Sequence, residues 1–382
     1  MDLIVDQSTQ PTDWPAPGEK LQPAHRNQVG EWIQKARAAR LSIGPPSATY
    51  SWDLSRVNNV TAFTAPDMLI TVETGQTLDS VKDLVESEKL WLPLDTTHQS
   101  DVTLAEYPAQ DHSISWLSHR YGTARDWVMQ ITAMDDKGQE VNSGARVVKN
   151  AAGYQLAPLY IGSMDALGPL VETTFRLLPL PDSLTVVEWQ SASHRELYKA
   201  LRAARECFHS SGKSDPWEGM RLEYRGNIWA FQGVTCLPIE KVEAWLHAAN
   251  IEANESIASA DTPPREADRN NFTPALRIHA LPTRIPELLE VISTLEEDLI
   301  CYPAAGVIQL GPVGETTSSQ NLTGILSAVA AKGGRVRQLT TDQDIQIPEA
   351  AGMAANKHIL TRIKRILDPE GVFGPLPEHL WL

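Results

Sequence analysis

Cysteine is scarce in this chain: Cys207, Cys236 and Cys301 are the only three, far apart and without C-x-x-C spacing. That argues against an iron–sulfur cluster or a structural zinc site of its own and fits buried thiols in a reducing compartment, so a cytoplasmic setting is expected. Basic residues are also short. Lys and Arg number 33 against 48 Asp and Glu, a formal net charge of −15. Phosphate-backbone binding needs the opposite balance, so no nucleic-acid partner is expected. No apolar run approaches the about 18–20 residues of a membrane span. The acidic start, Met1-Asp-Leu-Ile-Val-Asp6, lacks the basic region of a secretory signal. The ten histidines show no metal-ligand spacing, so no metal site is expected. Walker loops and G-x-G-x-x-G fingerprints are missing, and the neighbours of Ser163 do not form a G-x-S-x-G elbow. What is present is an ordinary globular composition, 42% hydrophobic and 21% charged, over 382 residues, long enough for two domains.

Along the chain, residues 7–23 are Pro-rich and aperiodic, an extended lead-in. Val29, Trp32, Ile33, Ala36 and Ala39 recur at helical spacing between positions 25 and 40. Residues 68–73 alternate as a strand, Gly75 turns the chain, and Thr77 caps a helix with Leu78, Val81, Leu84 and Val85 inside. Asp135-Asp-Lys-Gly138 signals a hairpin turn, and residues 170–180 alternate as another strand before a linker marked by Pro179, Pro181 and Asp182. Ser193-His-Arg-Glu196 has capping-box spacing and opens a helix. Strands at 220–224 and 228–234 flank the turn Arg225-Gly-Asn227, a helix covers 239–249, and residues 256–274 read as a polar loop. Positions 276–281, 285–299, 305–310, 322–332 and 336–339 then read β-α-β-α-β, with Gly333-Gly334 as a helix C-cap. A last helix, 356–367, stops before Pro369.

Three segments stand out for chemistry. They are Ile70-Thr-Val-Glu-Thr-Gly-Gln-Thr-Leu78, His119-Arg-Tyr-Gly-Thr-Ala-Arg-Asp126, and residues 144–163, which hold two small-residue turns, Ala151-Ala-Gly153 and Gly162-Ser163. Turns with so little side-chain bulk let backbone approach something flat or anionic. In order and spacing the three segments resemble the FAD-binding, PCMH-type (vanillyl-alcohol oxidase-like) flavoprotein family, and among its branches the glycolate oxidase E subunits. The family pattern reads T-V-E-A-G-x-T-L, then R-Y-G-x-x-R-D, then K-N-x-A-G-Y-D-L-x-x-L-x-x-G-S. Here the third becomes Lys149-Asn-Ala-Ala-Gly-Tyr-Gln-Leu156, with Gln155 for aspartate. The resemblance covers residues 21–181 and, more loosely, 362–373.

The resemblance implies an α+β fold: a two-subdomain FAD-binding domain over 1–183, a ferredoxin-like cap over 184–345, and a C-terminal helix within 346–382 that returns to the first domain. It implies non-covalent FAD, with Gly44, Thr74, Gly75, Thr103, Tyr121, Gly122, Arg125, Asp126, Gly153 and Gly162 as cofactor-binding positions. It also implies an oxidoreductase subunit resembling glycolate oxidase, acting on a small 2-hydroxy acid beside other flavin and iron–sulfur subunits of a hetero-oligomeric complex. No catalytic residue follows from the motifs. Arg277 and His279, alternate residues of a cap strand, are the pair suited to a substrate carboxylate and a hydroxyl proton; otherwise they are one face of an exposed strand. Four departures point to an alternative, a flavin-free structural subunit. These are Pro45-Pro46 in the phosphate loop, Leu104-Ala105 for a glycine pair, Asp165 for glycine, and Pro169.

Overall fold

An amphipathic helix organises the start of the chain. Helix Arg26–Ala39 buries Val29, Trp32, Ile33 and Ala36 against Leu21, Ile43, Tyr50 and Trp52. Beside it the short strands β1 (Lys20–Leu21) and β2 (Ser51–Trp52) pair in parallel. The computed structural model describes residues 14–44, 49–96, 102–109, 114–145, 156–199, 215–248, 256–260, 272–312, 319–339, 345, 347 and 353–376. Arg26 ties the helix to the next layer, its guanidinium 2.8 Å from Glu140 and 2.9 Å from Glu172.

That layer is an antiparallel sheet. Its strands are β3 (Val60–Thr64), β4 (Leu69–Glu73), β6 (Val128–Met134), β7 (Glu140–Gly144) and β8 (Leu170–Arg176), in the order β3-β4-β8-β6-β7; β5 (Leu90–Trp91) and β9 (Leu178–Pro179) pair separately. Thr77 accepts the Ser80 N–H at 3.1 Å, starting helix Leu78–Ser87 where the sequence places it. Its Leu78, Val81 and Val85 pack with Ile70, Val72 and Phe175, in one cluster with Ala124 and Trp127. Lys82 lies on this buried side and meets Asp95 at 3.2 Å.

The cap begins with β10 (Leu184–Ser191), β11 (Gly219–Arg225), β12 (Ile228–Thr235) and β13 (Ser256–Ala260), and continues with β14 (Leu276–His279), β15 (Leu299–Tyr302), β16 (Val307–Leu310) and β17 (Arg335–Gln338). Among the described residues these form one antiparallel sheet, ordered β13-β10-β12-β11-β15-β16-β14-β17. Each half runs β-α-β-β-α-β and has its strands in the ferredoxin-like order, fourth-first-third-second; the two halves join through their second strands, β11 and β15. Two expectations are corrected here. Residues 256–260 are a strand rather than part of a loop, because they pair with Leu184–Glu188 and take the outer edge of the sheet. The helix expected over 285–299 stops at Ile292, and Leu299–Tyr302, of which that expectation covers only the first residue, forms a strand paired on both sides.

The helices cover one face of the cap sheet, where Leu222, Leu276, Ile278, Cys301 and Ile308 meet Val242, Leu288, Ile292, Leu326 and Val329. The opposite face turns towards the first domain. Ile300, Tyr302 and Val307 share a cluster with Trp91, Ile114, Trp116 and Leu117. Helix Met353–Leu367 comes back to the first domain, with Ile363 and Leu367 on Ile131, Ala133 and Tyr160. Beyond it, the Ile43 N–H donates to Val372 O at 2.8 Å and the Gly374 N–H donates to Ile43 O at 3.0 Å. Lys364 Nζ fastens this return, donating to Ala166 O at 2.6 Å, Phe373 O at 3.1 Å and Asp368 Oδ2 at 2.5 Å. Burial pulls the Lys364 ammonium below its usual range, and Asp368 opposes that shift. Among the described residues no helix is long and apolar enough to cross a membrane.

Candidate functional site

Thr74 and Gly75 follow β4 directly and are held by backbone on every side. The Thr74 hydroxyl donates to Leu170 O at 2.6 Å, its N–H donates to Val171 O at 3.2 Å, and the Gly75 N–H donates to Val57 O at 2.8 Å. Thr103 pairs with Thr77 across a short bridge. There Thr103 and Glu106 cap helix Glu106–Ala109 reciprocally: the Glu106 N–H donates to Thr103 Oγ1 at 3.3 Å, and the Thr103 hydroxyl donates to Glu106 Oε2 at 3.1 Å. The N–H groups of Leu104 and Ala105 donate to Gln76 O at 2.8 Å and Thr74 O at 2.6 Å. Gly44 donates its N–H to Tyr50 O at 2.8 Å and lies against Gly374.

The second motif folds as two helical turns, Ser118–Tyr121 and Ala124–Trp127, with Gly122 at φ 74° between them. Asp126 is a capping residue: its carboxylate accepts the Thr123 N–H at 2.8 Å. Arg125 reaches the third segment instead, donating from Nη2 to Ile161 O at 3.0 Å, beside Gly162. Tyr121 stacks edge-on to Trp91 at 5.0 Å and donates its hydroxyl to Glu218, which also meets Arg120 at 2.5 Å. Burial first, and then Glu218, push the Tyr121 hydroxyl far above its usual range. With His119 3.3 Å from Asp215 and the Met220 N–H donating to Trp116 O at 3.0 Å, the motif clasps the start of β11. Sequence reasoning missed this clasp, and no local pattern marks Glu218. Gly153 and the rest of Lys149–Tyr154 lie outside the described residues.

Asp165, which replaces a family glycine, has φ 61°, a left-handed conformation that aspartate tolerates better than most residues. Burial, with Glu106 nearby as a lesser cause, pushes its carboxyl up to about 7. The folded chain therefore holds this proton more tightly than the unfolded chain, whose carboxyl titrates near ~3.9. The resulting stability is fully present below about pH 4 and is lost as pH rises through 7. Asp165→Asn is expected to melt near wild type at pH 4 and a few degrees higher at pH 8. An unchanged difference between the two pH values in thermal melts would refute the assignment.

In the cap, Arg277 and His279 share one face of β14. That face is not exposed: Arg277 is 2% accessible, and β14 lies between β16 and β17. On the same rung Arg277 pairs with Gln309 and Arg337; on the next, His279 pairs with Val307 and Arg335. Val307 belongs to the cluster with Trp91 and Trp116, so this basic corner adjoins the contact with the first domain. Arg221, wholly buried on β11, donates from Nε to Gln232 Oε1 at 2.6 Å and lies 5.9 Å from the Trp116 ring. Among the described residues no group of three or more His, Cys, Asp or Glu could hold a metal ion.

The comparisons with known proteins bear on the part of the chain that carries Gly44, Gly75, Thr103 and Tyr121–Asp126. Residues 40–144 match the model of the FAD binding domain family. The match is to an FAD-binding domain of the PCMH type and is confined to that part of the chain. D-2-hydroxyglutarate dehydrogenase of Xanthomonas citri is 30% identical over 134 residues, covering 35% of this chain and 28% of the relative. Glycolate oxidase subunit GlcE of Escherichia coli is 25% identical over 143 residues, covering 36% of this chain and 40% of that protein. The chain thus spans well under half the length of these curated relatives. The xylooligosaccharide oxidase of Myceliophthora thermophila superposes with TM-score 0.64 at 16% identity, covering 94% of this chain and 90% of that one. The likeness extends through cap and C-terminal return, and the α+β, two-subdomain fold with its cap is the observed one.

Do the residues of this FAD-binding domain suit a dinucleotide? At Gly162, φ 87°, an added Cβ would meet, among the described residues, only Arg125 Nη2 within 4 Å, at 3.5 Å. A glycine turn beside a guanidinium suits a flat, anionic group. Near Gly44, Ser42 Oγ and Thr49 Oγ1 hydrogen-bond each other at 3.3 Å, and Ser42 Oγ accepts the Thr49 N–H at 3.1 Å. The FAD binding domain match supports FAD as the cofactor, and the flavin-free alternative is not favoured.

Proposed function

We propose that the chain is an FAD-dependent oxidoreductase subunit, resembling glycolate oxidase, that oxidises a small 2-hydroxy acid to the 2-oxo acid. The observation that carries this is the buried Arg277 beside His279 on the cap face that packs towards the FAD-binding domain. A guanidinium there pairs with the substrate carboxylate, and the imidazole two residues on takes the hydroxyl proton. Bound FAD, held non-covalently, supplies the electron-accepting chemistry. Gly44, Gly122, Arg125, Gly162 and the hydroxyls of Ser42 and Thr49 hold and orient it, with Gly153 in the same role. Thr74, Gly75, Thr103 and Asp126 shape the surrounding backbone, and Tyr121 joins that site to the cap through Glu218. We further propose a cytoplasmic, hetero-oligomeric setting in which iron–sulfur and second flavin subunits take the electrons. The domains divide at 1–183, 184–345 and 346–382.

The test is a titration of the purified protein with FAD, followed by anaerobic mixing with glycolate, D-lactate and D-2-hydroxyglutarate. Flavin absorbance should co-elute with the protein and bleach with at least one acid. Arg277→Met should lower kcat/KM by about 100-fold or more, with Arg277→Lys between the two, since a point ammonium replaces a planar fork. A colourless protein with no thermal shift in excess FAD would defeat the proposal.

A further inference from the structure

Gln309 is a polar residue at a position that packing alone would fill with leucine or methionine. It is 0% exposed, yet neither its Oε1 nor its Nε2 has a hydrogen-bond partner among the described residues. A buried primary amide left unmet weakens a fold, whereas an apolar side chain of the same shape would not. Its place in the sheet says what could meet it. One rung runs Glu223, Ile300, Gln309, Arg277, Arg337 across β11, β15, β16, β14 and β17. Directly opposed residues of an antiparallel sheet project on the same face. The amide is therefore flanked by apolar Ile300 on one strand and by Arg277 on the other. That is the face whose Ile300, Tyr302 and Val307 pack with Trp91 and Trp116 of the first domain.

We infer that Gln309 is a substrate-specificity residue: its amide N–H groups chelate the carboxylate and the 2-oxygen of the bound acid beside Arg277. This rests on the 2-hydroxy-acid reading. Guanidinium and amide divide the work by their chemistry. Arg277 supplies the positive charge that any small carboxylate would satisfy. The two N–H donors of one amide span two neighbouring oxygens, so an acid lacking oxygen at C2 leaves one donor unmet in a dry site. The hydroxyl proton stays clear of Nε2, which only donates, and remains open to His279 on the next rung. The ligand class is a small acid with a hydroxyl or oxo oxygen on the carbon next to the carboxylate.

The experiment is calorimetric titration of the FAD-loaded protein and of Gln309→Met with D-lactate, oxalate and propionate, together with thermal melts of both without ligand. Wild type should bind D-lactate and oxalate at least about 10-fold more tightly than propionate. Gln309→Met should bring that ratio close to one while melting at the same temperature or higher. A variant that keeps the ratio overturns the inference and leaves the hydroxy-acid reading standing. A variant that melts several degrees lower also overturns it, because the amide then supports the fold. A wild type that binds none of the three acids overturns the inference and the reading together.

Discussion

Lys82→Met is expected to destabilise the protein by about 3–5 kcal/mol, because it strands a buried carboxylate. Lys82 Nζ lies 3.2 Å from Asp95 Oδ1, and the two side chains are 1% and 2% accessible. Asp95 Oδ1 also accepts the Thr96 N–H at 3.0 Å, and Tyr107 donates its hydroxyl to Asp95 O at 3.1 Å, so the loop cannot swing its acid into solvent without undoing both. A buried ion pair need not beat an apolar pair of equal volume, but half of one is much worse than either. The double variant Lys82→Met/Asp95→Leu should therefore recover most of the loss, a non-additivity that a double-mutant cycle in urea measures directly. A single variant within about 1 kcal/mol of wild type would show that water reaches the pair.

Gly75→Ala is the second substitution expected to have a large effect. A Cβ built on Gly75 would lie 2.1 Å from Leu54 O and 2.5 Å from Val57 O, both backbone atoms that cannot rotate away. The cost is steric, from close approach of two chain segments, and should reach about 3 kcal/mol or leave no folded protein. Gly226→Ala is the control. Gly226 has φ 54° and, among the described residues, nothing within 4 Å of its added Cβ, so conformational preference is what is at stake there, about 1 kcal/mol. Equal denaturation midpoints for the two variants would contradict the packing account. The glycine of the Thr-Gly motif is thus tied to the joint between β4 and the segment before residue 57 as firmly as to any ligand.

Elements whose pattern is local were legible in the sequence. The cap at Thr77, the helical spacing from Val29 to Ala36 and the hairpin at Asp135–Gly138 depend on near neighbours, and each is observed. Leu299–Tyr302 was not legible: a short, wholly apolar run has no period to separate a buried strand from a helix end, and only pairing with β11 and β16 decides it. Ser256–Ala260 misled for the opposite reason, being small and polar enough to look like loop until β10 supplies its partner. In the site, neighbouring Arg125 and Asp126 go to different partners that no local pattern announces: the acid caps Thr123 and the base crosses to Ile161. The clasp of Tyr121 and Arg120 on Glu218, and the unmet amide of Gln309, involve residues far apart in the chain, so no motif could announce them.

The return of the C-terminus carries a consequence for synthesis. Ile43, next to Gly44, has its hydrogen-bond partners at Val372 and Gly374, and Lys364 and Asp368 brace the same strand. A ribosome delivers Ile43 well before Gly374, so the first domain stays open along that edge until after the whole cap has been made. Joining segments so distant in sequence pays its loop-closure entropy late, which makes this edge a slow step in maturation. The nascent chain thus passes through a stage in which the cap can already be folded while the surface around Gly44, with its apolar Ile43, Tyr50 and Trp52, still lacks Val372 and Phe373 to cover it.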